Sequence, residues 1–205
     1  QEIAHVTVPS PEPTTVTAGR RFLYDADHTS SNGEASCSSC HVFGDFDSLA
    51  WDLGNPTDVV LNNPLPFRIP PLGDTFEDFH PLKGPMTTQS LRGMAGAGSM
   101  HWRGDRTAGN DPGGDVNDED GAFKKFNVAF PGLIGRESEL PADEMQAFTD
   151  FILGVTYPPN PIRRLNNTFT NRQQQGHDLY FGRVTDALFN CNGCHTLDPA
   201  NGFFG

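Results

Sequence analysis

Cys37-Ser38-Ser39-Cys40-His41 decides how this chain is read, and its pattern returns as Cys191-Asn192-Gly193-Cys194-His195. The two pentapeptides use all four cysteines of the 205-residue chain. Each reads C-x-x-C-H, the attachment signature of a c-type haem. The spacing has a chemical reason. Two thiols one helical turn apart add across the two vinyl groups of one porphyrin, and the adjoining histidine then lies under the ring to bind the iron. The pattern predicts two covalent haem c groups, held by Cys37, Cys40, Cys191 and Cys194, with His41 and His195 as proximal ligands. A four-cysteine zinc site and a thioredoxin-like dithiol compete for the same cysteines, but neither requires a histidine after the second one.

Composition agrees. Hydrophobic residues make up 36% of the chain and the mean hydropathy is -0.47, low for a core built from side chains alone. Two buried porphyrins would supply the missing apolar surface. With 22 Gly and 17 Pro, the expected fold is mainly α with long loops: a cytochrome c-like haem domain followed by a second, incomplete cytochrome c-like module. A net charge of -12 argues against nucleic acid and anionic membrane surfaces as partners. No transmembrane run is present. Bacteria attach haem c outside the cytoplasmic membrane, which predicts a periplasmic or extracellular protein. A chain opening at Gln1 without methionine fits a processed export product.

Residues 1–17 read as an extended arm rich in Pro and Thr, carrying His5. Residues 18–157 read as the first haem domain and 158–205 as a linker with the second module. A helix with Phe22 and Leu23 facing the core leads to the first motif, and a similar stretch from Gln175 leads to the second. Gly19 matches Gly176 in this weak internal repeat, which places His177 on an exposed position. After His41, Phe43, Phe46 and Trp51 are expected in a haem-pocket wall. Residues 55–74 form a long proline-rich loop.

The stretch from Phe79 to Arg106 holds His80, Met86, Met94, Met100 and His101, residue types that can close the sixth position of a haem iron. Met100 and His101 stand at a suitable remove from His41, and His101 is preferred because Trp102 can anchor its loop. Asp115, Asn117 and Glu119 alternate as in a calcium loop, although no Gly stands sixth and no Glu closes it. Phe123, Phe126 and Phe130 form one apolar helical face. Met145, Phe148, Ile152 and Val155 form the stripe of a second helix, with Pro141 in its first turn. Thr170 and Gln173 have capping-box spacing before the helix to the second haem.

With the haem motifs, Thr88-Gln89-Ser90-Leu91-Arg92-Gly93 and Met100-His101-Trp102-Arg103-Gly104-Asp105 in view, residues 18–205 resemble the bacterial di-haem cytochrome c peroxidase superfamily, above all its large secreted members. The resemblance implies that these two stretches supply the distal side of a haem. It offers two functions: an exported di-haem electron carrier, working with redox partner proteins or with copies of itself in a multi-haem assembly, or a di-haem peroxidase acting on hydrogen peroxide. The carrier is the preferred reading. Beyond His195 no usual sixth ligand follows, so the second haem needs one from His28 or His80 folding back, or from His5 of a neighbouring copy. Sharing of the last kind would build a homo-oligomer or filament.

Overall fold

Helices joined by long loops build the chain. A computed structural model describes it except at residues 1–3, 5, 7, 65–67, 70–72, 75–77, 186–187, 199–202 and 205, and describes the backbone alone at 68–69, 73–74 and 203–204. His5 therefore lies outside the described residues. Helices α1 (Thr14–Gly19), α2 (Arg21–Tyr24) and α3 (Ala26–Thr29) follow one another almost without a break. The first begins inside the stretch read as an extended arm. Its threonines and valine are poor helix formers, so the helix owes its existence to packing along α6. Glu12 also pairs with Arg20, tying the end of the arm back onto the helix.

Helix α4 (Glu119–Lys124) is capped by the Asp118 side chain, which accepts from the Gly121 N–H at 2.9 Å. Glu119 and Asp120 stand in its first turn and Lys124 in its last, each sign suited to the helix dipole. The expected single Phe face is broken by a turn before α5 (Ala129–Gly132), yet Phe123 and Phe130 are both buried and Phe126 packs against them. Helix α6 (Ala142–Leu153) follows Pro141, which sits just ahead of the first turn. It buries Met145, Phe148, Thr149 and Ile152, a spacing that keeps one face inward. The Thr149 hydroxyl is satisfied by the Met145 carbonyl at 2.7 Å. Phe148 is the centre of the core, with ring centroids of Phe22, Phe123 and Phe130 at 6.0, 5.1 and 6.1 Å.

Strand pairing is minor. β1 (Ala50–Asp52) pairs antiparallel with Pro85–Thr87, placing Trp51 opposite Met86. Within the proline-rich loop, Arg68–Ile69 and Gly73–Asp74 form a two-residue ribbon, and Leu197–Asp198 pairs with Phe203–Phe204 near the end. Among the described residues no helix is long and apolar enough to cross a membrane.

Helices α7 (Asn171–Gly182) and α8 (Cys191–Cys194) pack on each other. The capping box holds as expected: Gln173 N–H donates to Thr170 Oγ1, and Thr170 N–H to Gln173 Oε1. No residue of α7 is buried. The two glycines of the internal repeat differ in the same sense. A methyl group on Gly19 would overlap the Ala147 carbonyl and the Phe151 Cβ of α6, whereas one on Gly176 would meet nothing within 4 Å.

That close crossing gives a stability prediction. Gly19→Ala must push α1 off α6 and should cost about 1–3 kcal/mol, the usual penalty of overpacking. Gly176→Ala should be neutral or slightly stabilising, through helix propensity. Urea denaturation followed by circular dichroism reads both, and equal effects would contradict the asymmetry.

Candidate functional site

The first C-x-x-C-H forms a 3-10 turn, Cys37–Ser39, running into His41. Ser36 and Ser39 cap it reciprocally, and the His41 N–H closes the turn on the Cys37 carbonyl at 2.9 Å. Cys37 packs against the core cluster. Burial pushes its thiol up to about 11, and burial likewise raises Cys40. Both thiols are therefore protonated near neutrality.

The His41 ring is fixed from one side. Its Nδ1–H donates to the Gln89 carbonyl at 2.8 Å. That bond selects the tautomer whose Nε2 carries a lone pair. Burial lowers the His41 pKa, favouring the neutral ring that a metal requires. The acceptor segment is itself pinned to the turn after His41. Leu91 N–H donates to the Gly44 carbonyl at 3.0 Å, and Gly93 N–H to the Val155 carbonyl at 2.8 Å. Arg92 reaches the Phe43 carbonyl at 3.0 Å and pairs with Asp45 at 3.1 Å. Thr88–Gly93 thus braces the His41 side, whereas the family resemblance implied a distal role for it.

The second half of that resemblance lies elsewhere. Met100 is buried at 7% exposure and belongs to the core cluster. His101 follows with φ +72°, a strained value for a residue other than glycine. Its Nδ1–H donates to Asp105 Oδ1 at 2.8 Å, which again leaves Nε2 with the lone pair. Burial alone would raise the Asp105 pKa, but His101, Arg103 and Arg106 outweigh it and hold the carboxyl far below the usual range. As expected, Trp102 anchors the loop: its indole N–H donates to the Thr87 carbonyl at 2.7 Å. Thr87 and Gln89 are two residues apart, so one short segment braces both His41 and the His101 loop.

The other histidines are engaged differently. His80 Nδ1 accepts from the Leu82 N–H at 3.1 Å, which places its ring proton on Nε2. His28 Nε2 bonds Glu144 Oε2 at 3.2 Å, and its ring lies 5.5 Å from Phe22. His177 sits between Phe169 and Phe181 at 5.5 and 4.6 Å. Met94 packs on the core. Met86 stands half-buried in its ribbon.

At the second motif, Asn190 caps α8 by accepting from Gly193 N–H at 2.8 Å, and its amide holds the Phe181 carbonyl at 2.8 Å. Tyr180 hydroxyl donates to the His195 carbonyl. Cys191, Cys194 and His195 are exposed.

Among the described residues no three His, Cys, Asp or Glu side chains come together as a metal cluster. The four cysteines therefore do not assemble a zinc site. In the calcium-like stretch, Asp115 accepts from Asn117 N–H in a local turn, whereas Glu119 accepts from Gly98 N–H and ties α4 to the loop before Met100. Sequence could not expose the Gln89 carbonyl, because a backbone acceptor has no residue signature. Asp105, four residues after His101, was legible as an orienting carboxylate and was missed.

The residues around the first motif fit a haem. Two thiols and an imidazole share one turn, and a chain short of apolar residues leaves Phe43, Phe46, Leu49 and Trp51 exposed beside it. No family model and no curated protein matches the chain. A solved structure of hydrazine synthase from Kuenenia stuttgartiensis, pressurised with 20 bar xenon, aligns with 94% of the chain at a TM-score of 0.56 and 21% identity. The alignment covers 52% of that chain, so this chain spans about half its length. The likeness extends to the fold, without pointing to the di-haem peroxidase superfamily.

The raised thiol pKa sets a reactivity pattern. With no group attached, Cys37 near pH 7 should alkylate on the order of a hundredfold slower than a free thiol, because only the thiolate reacts. The rate should climb with pH towards about 11. Mass mapping of iodoacetamide labelling checks this, and labelling of Cys37 at the free-thiol rate would contradict it.

Proposed function

We propose that this protein is an exported di-haem c-type cytochrome that transfers electrons, working beside redox partner proteins or further copies of itself. One observation carries the reading: a C-x-x-C-H turn whose histidine is held neutral, with Nδ1 bonded to the Gln89 carbonyl. When bound, haem c supplies an iron that cycles between ferric and ferrous. Cys37 and Cys40 hold it in the first domain, residues 18–157, and His41 ligates from the proximal side. Cys191, Cys194 and His195 do the same in the second module, residues 158–205.

His101 is the better distal ligand for the first haem. Its ring is already in the ligating tautomer and oriented by Asp105, whereas Met100 contributes its side chain to the core. The Trp102 bond to Thr87 holds the loop against thermal motion. For the second haem, His28, His80 and the His5 of a neighbouring copy stand as the candidate sixth ligands. The exposed second motif suits a neighbour's approach, consistent with periplasmic or extracellular assembly.

Denatured protein should retain two covalent haems, read from the pyridine haemochrome spectrum and intact mass, and Cys191→Ala with Cys194→Ala should leave one. His101→Ala should convert the low-spin EPR signal of the first haem to high-spin. Met100→Leu should preserve ligation at a stability cost below about 1.5 kcal/mol. A chain that binds no porphyrin, or a high-spin signal from the methionine variant alone, would contradict the assignment.

A further inference from the structure

In a chain of net charge -12, cations are scarce, yet three gather around the His101 loop. Arg103, Arg106 and Lys83 all interact electrostatically with Asp105, and Lys83 also feels exposed Asp58. Asp105 is 9% exposed at its side chain and already spent. Oδ1 accepts from His101 at 2.8 Å and Oδ2 from Arg103 at 3.2 Å. Arg103 is otherwise occupied by the His80 carbonyl at 2.6 Å and lies over the Phe79 ring at 5.7 Å.

Arg106 and Lys83 are left over. Among the described residues the Arg106 guanidinium donates no hydrogen bond, although it lies 5.8 Å from the Phe126 ring centroid and its Nε is buried without an acceptor. The Nε of Arg103 is likewise buried and unpartnered. Lys83 is half-buried with no hydrogen-bond acceptor, and burial lowers its pKa, ahead of the effects of its charged neighbours. Burying donors and positive charge without acceptors is costly. An oxyanion bridging them would supply the missing acceptors.

We propose that Arg106 and Lys83, with the Nε of Arg103, seat the two propionate carboxylates of the haem held at Cys37 and Cys40. The proposal rests on the haem reading above. Two unpaired cations match a group with two carboxylates. The cluster adjoins the candidate distal ligand, because Arg103 and His101 share Asp105. Elsewhere on this acidic chain those carboxylates would meet repulsion. A free oxyanion has the same chemistry and is the rival occupant.

The test uses the full-length holoprotein, with the first haem's signals assigned from the Cys191→Ala/Cys194→Ala form. Lys83→Met, Arg106→Gln, their combination and Arg106→Lys are compared by haem content, resonance Raman and potentiometry. The expected result is unchanged haem content, shifted propionate-bending bands, and a lower midpoint potential for the first haem. The double variant should move furthest and Arg106→Lys least, since removing a cation beside a carboxylate favours the ferric state. Unchanged bands and potential with haem retained would overturn the seat while sparing the haem reading. In a second arm, inorganic phosphate is titrated into the wild type, which needs no variant to fold. Saturable binding lost in Arg106→Gln, with propionate bands unmoved, would make the cluster a free-oxyanion site and overturn the proposal. A chain without covalent haem would overturn both readings.

Discussion

The hydrogen bond from His41 Nδ1 to the Gln89 carbonyl is the constraint on which the first motif depends. A C-x-x-C-H turn alone leaves its imidazole free to rotate and to exchange tautomers. One backbone acceptor removes both freedoms, because the carbonyl can only accept and Nδ1 must therefore hold the proton. The acceptor must stay in place for this to work. Residues 88–93 are stitched to the motif by Thr88 N–H to the Leu49 carbonyl, Leu91 to Gly44 and Gly93 to Val155. Tyr157 closes the other side, lying so near Gly93 that a side chain there would strike its ring at 2.8 Å.

That dependence explains what the sequence could and could not disclose. The C-x-x-C-H turns as turns, the buried pair Phe22 and Leu23, the Met145, Phe148 and Ile152 stripe of α6 and the Thr170–Gln173 cap were legible, since each is a local pattern with a local cause, whereas Val155, expected in that stripe, lies beyond the helix and is half-buried. The start of α1 was not, because four β-branched residues are helical only through contact with α6, over a hundred positions away. Nor was the placement of Thr88–Gly93 against His41, which rests on carbonyls that every residue possesses. The broken Phe face of α4 and α5 shows the converse: the pattern found the core residues correctly while the helix carrying them was interrupted.

Apolar side chains are distributed unevenly. Those of α2, α4 and α6 close a small aromatic core, whereas Phe43, Leu49, Trp51 and Trp102 stand largely in solvent around the first motif. Scattered surface hydrophobes need no explanation, but several beside one site mark a place where something apolar belongs. Phe43 adds a left-handed backbone, φ +54°, held by the Arg92 bond to its carbonyl. The local cost is consistent with a turn shaped for its contents.

The bare Gly176 face bears on how the chain melts. An isolated helix of about a dozen residues is marginal in water, and α7, with nothing buried among the described residues, packs on α8 and on the Phe169 ring. The aromatic core around Phe148 is cooperative and should come apart as one unit. Among the described residues α7 thus shares no burial with the Phe148 core, and heat or denaturant should loosen it before that core. Two-state analysis requires one cooperative unit, so the melting of α7 and that of the aromatic core call for separate probes.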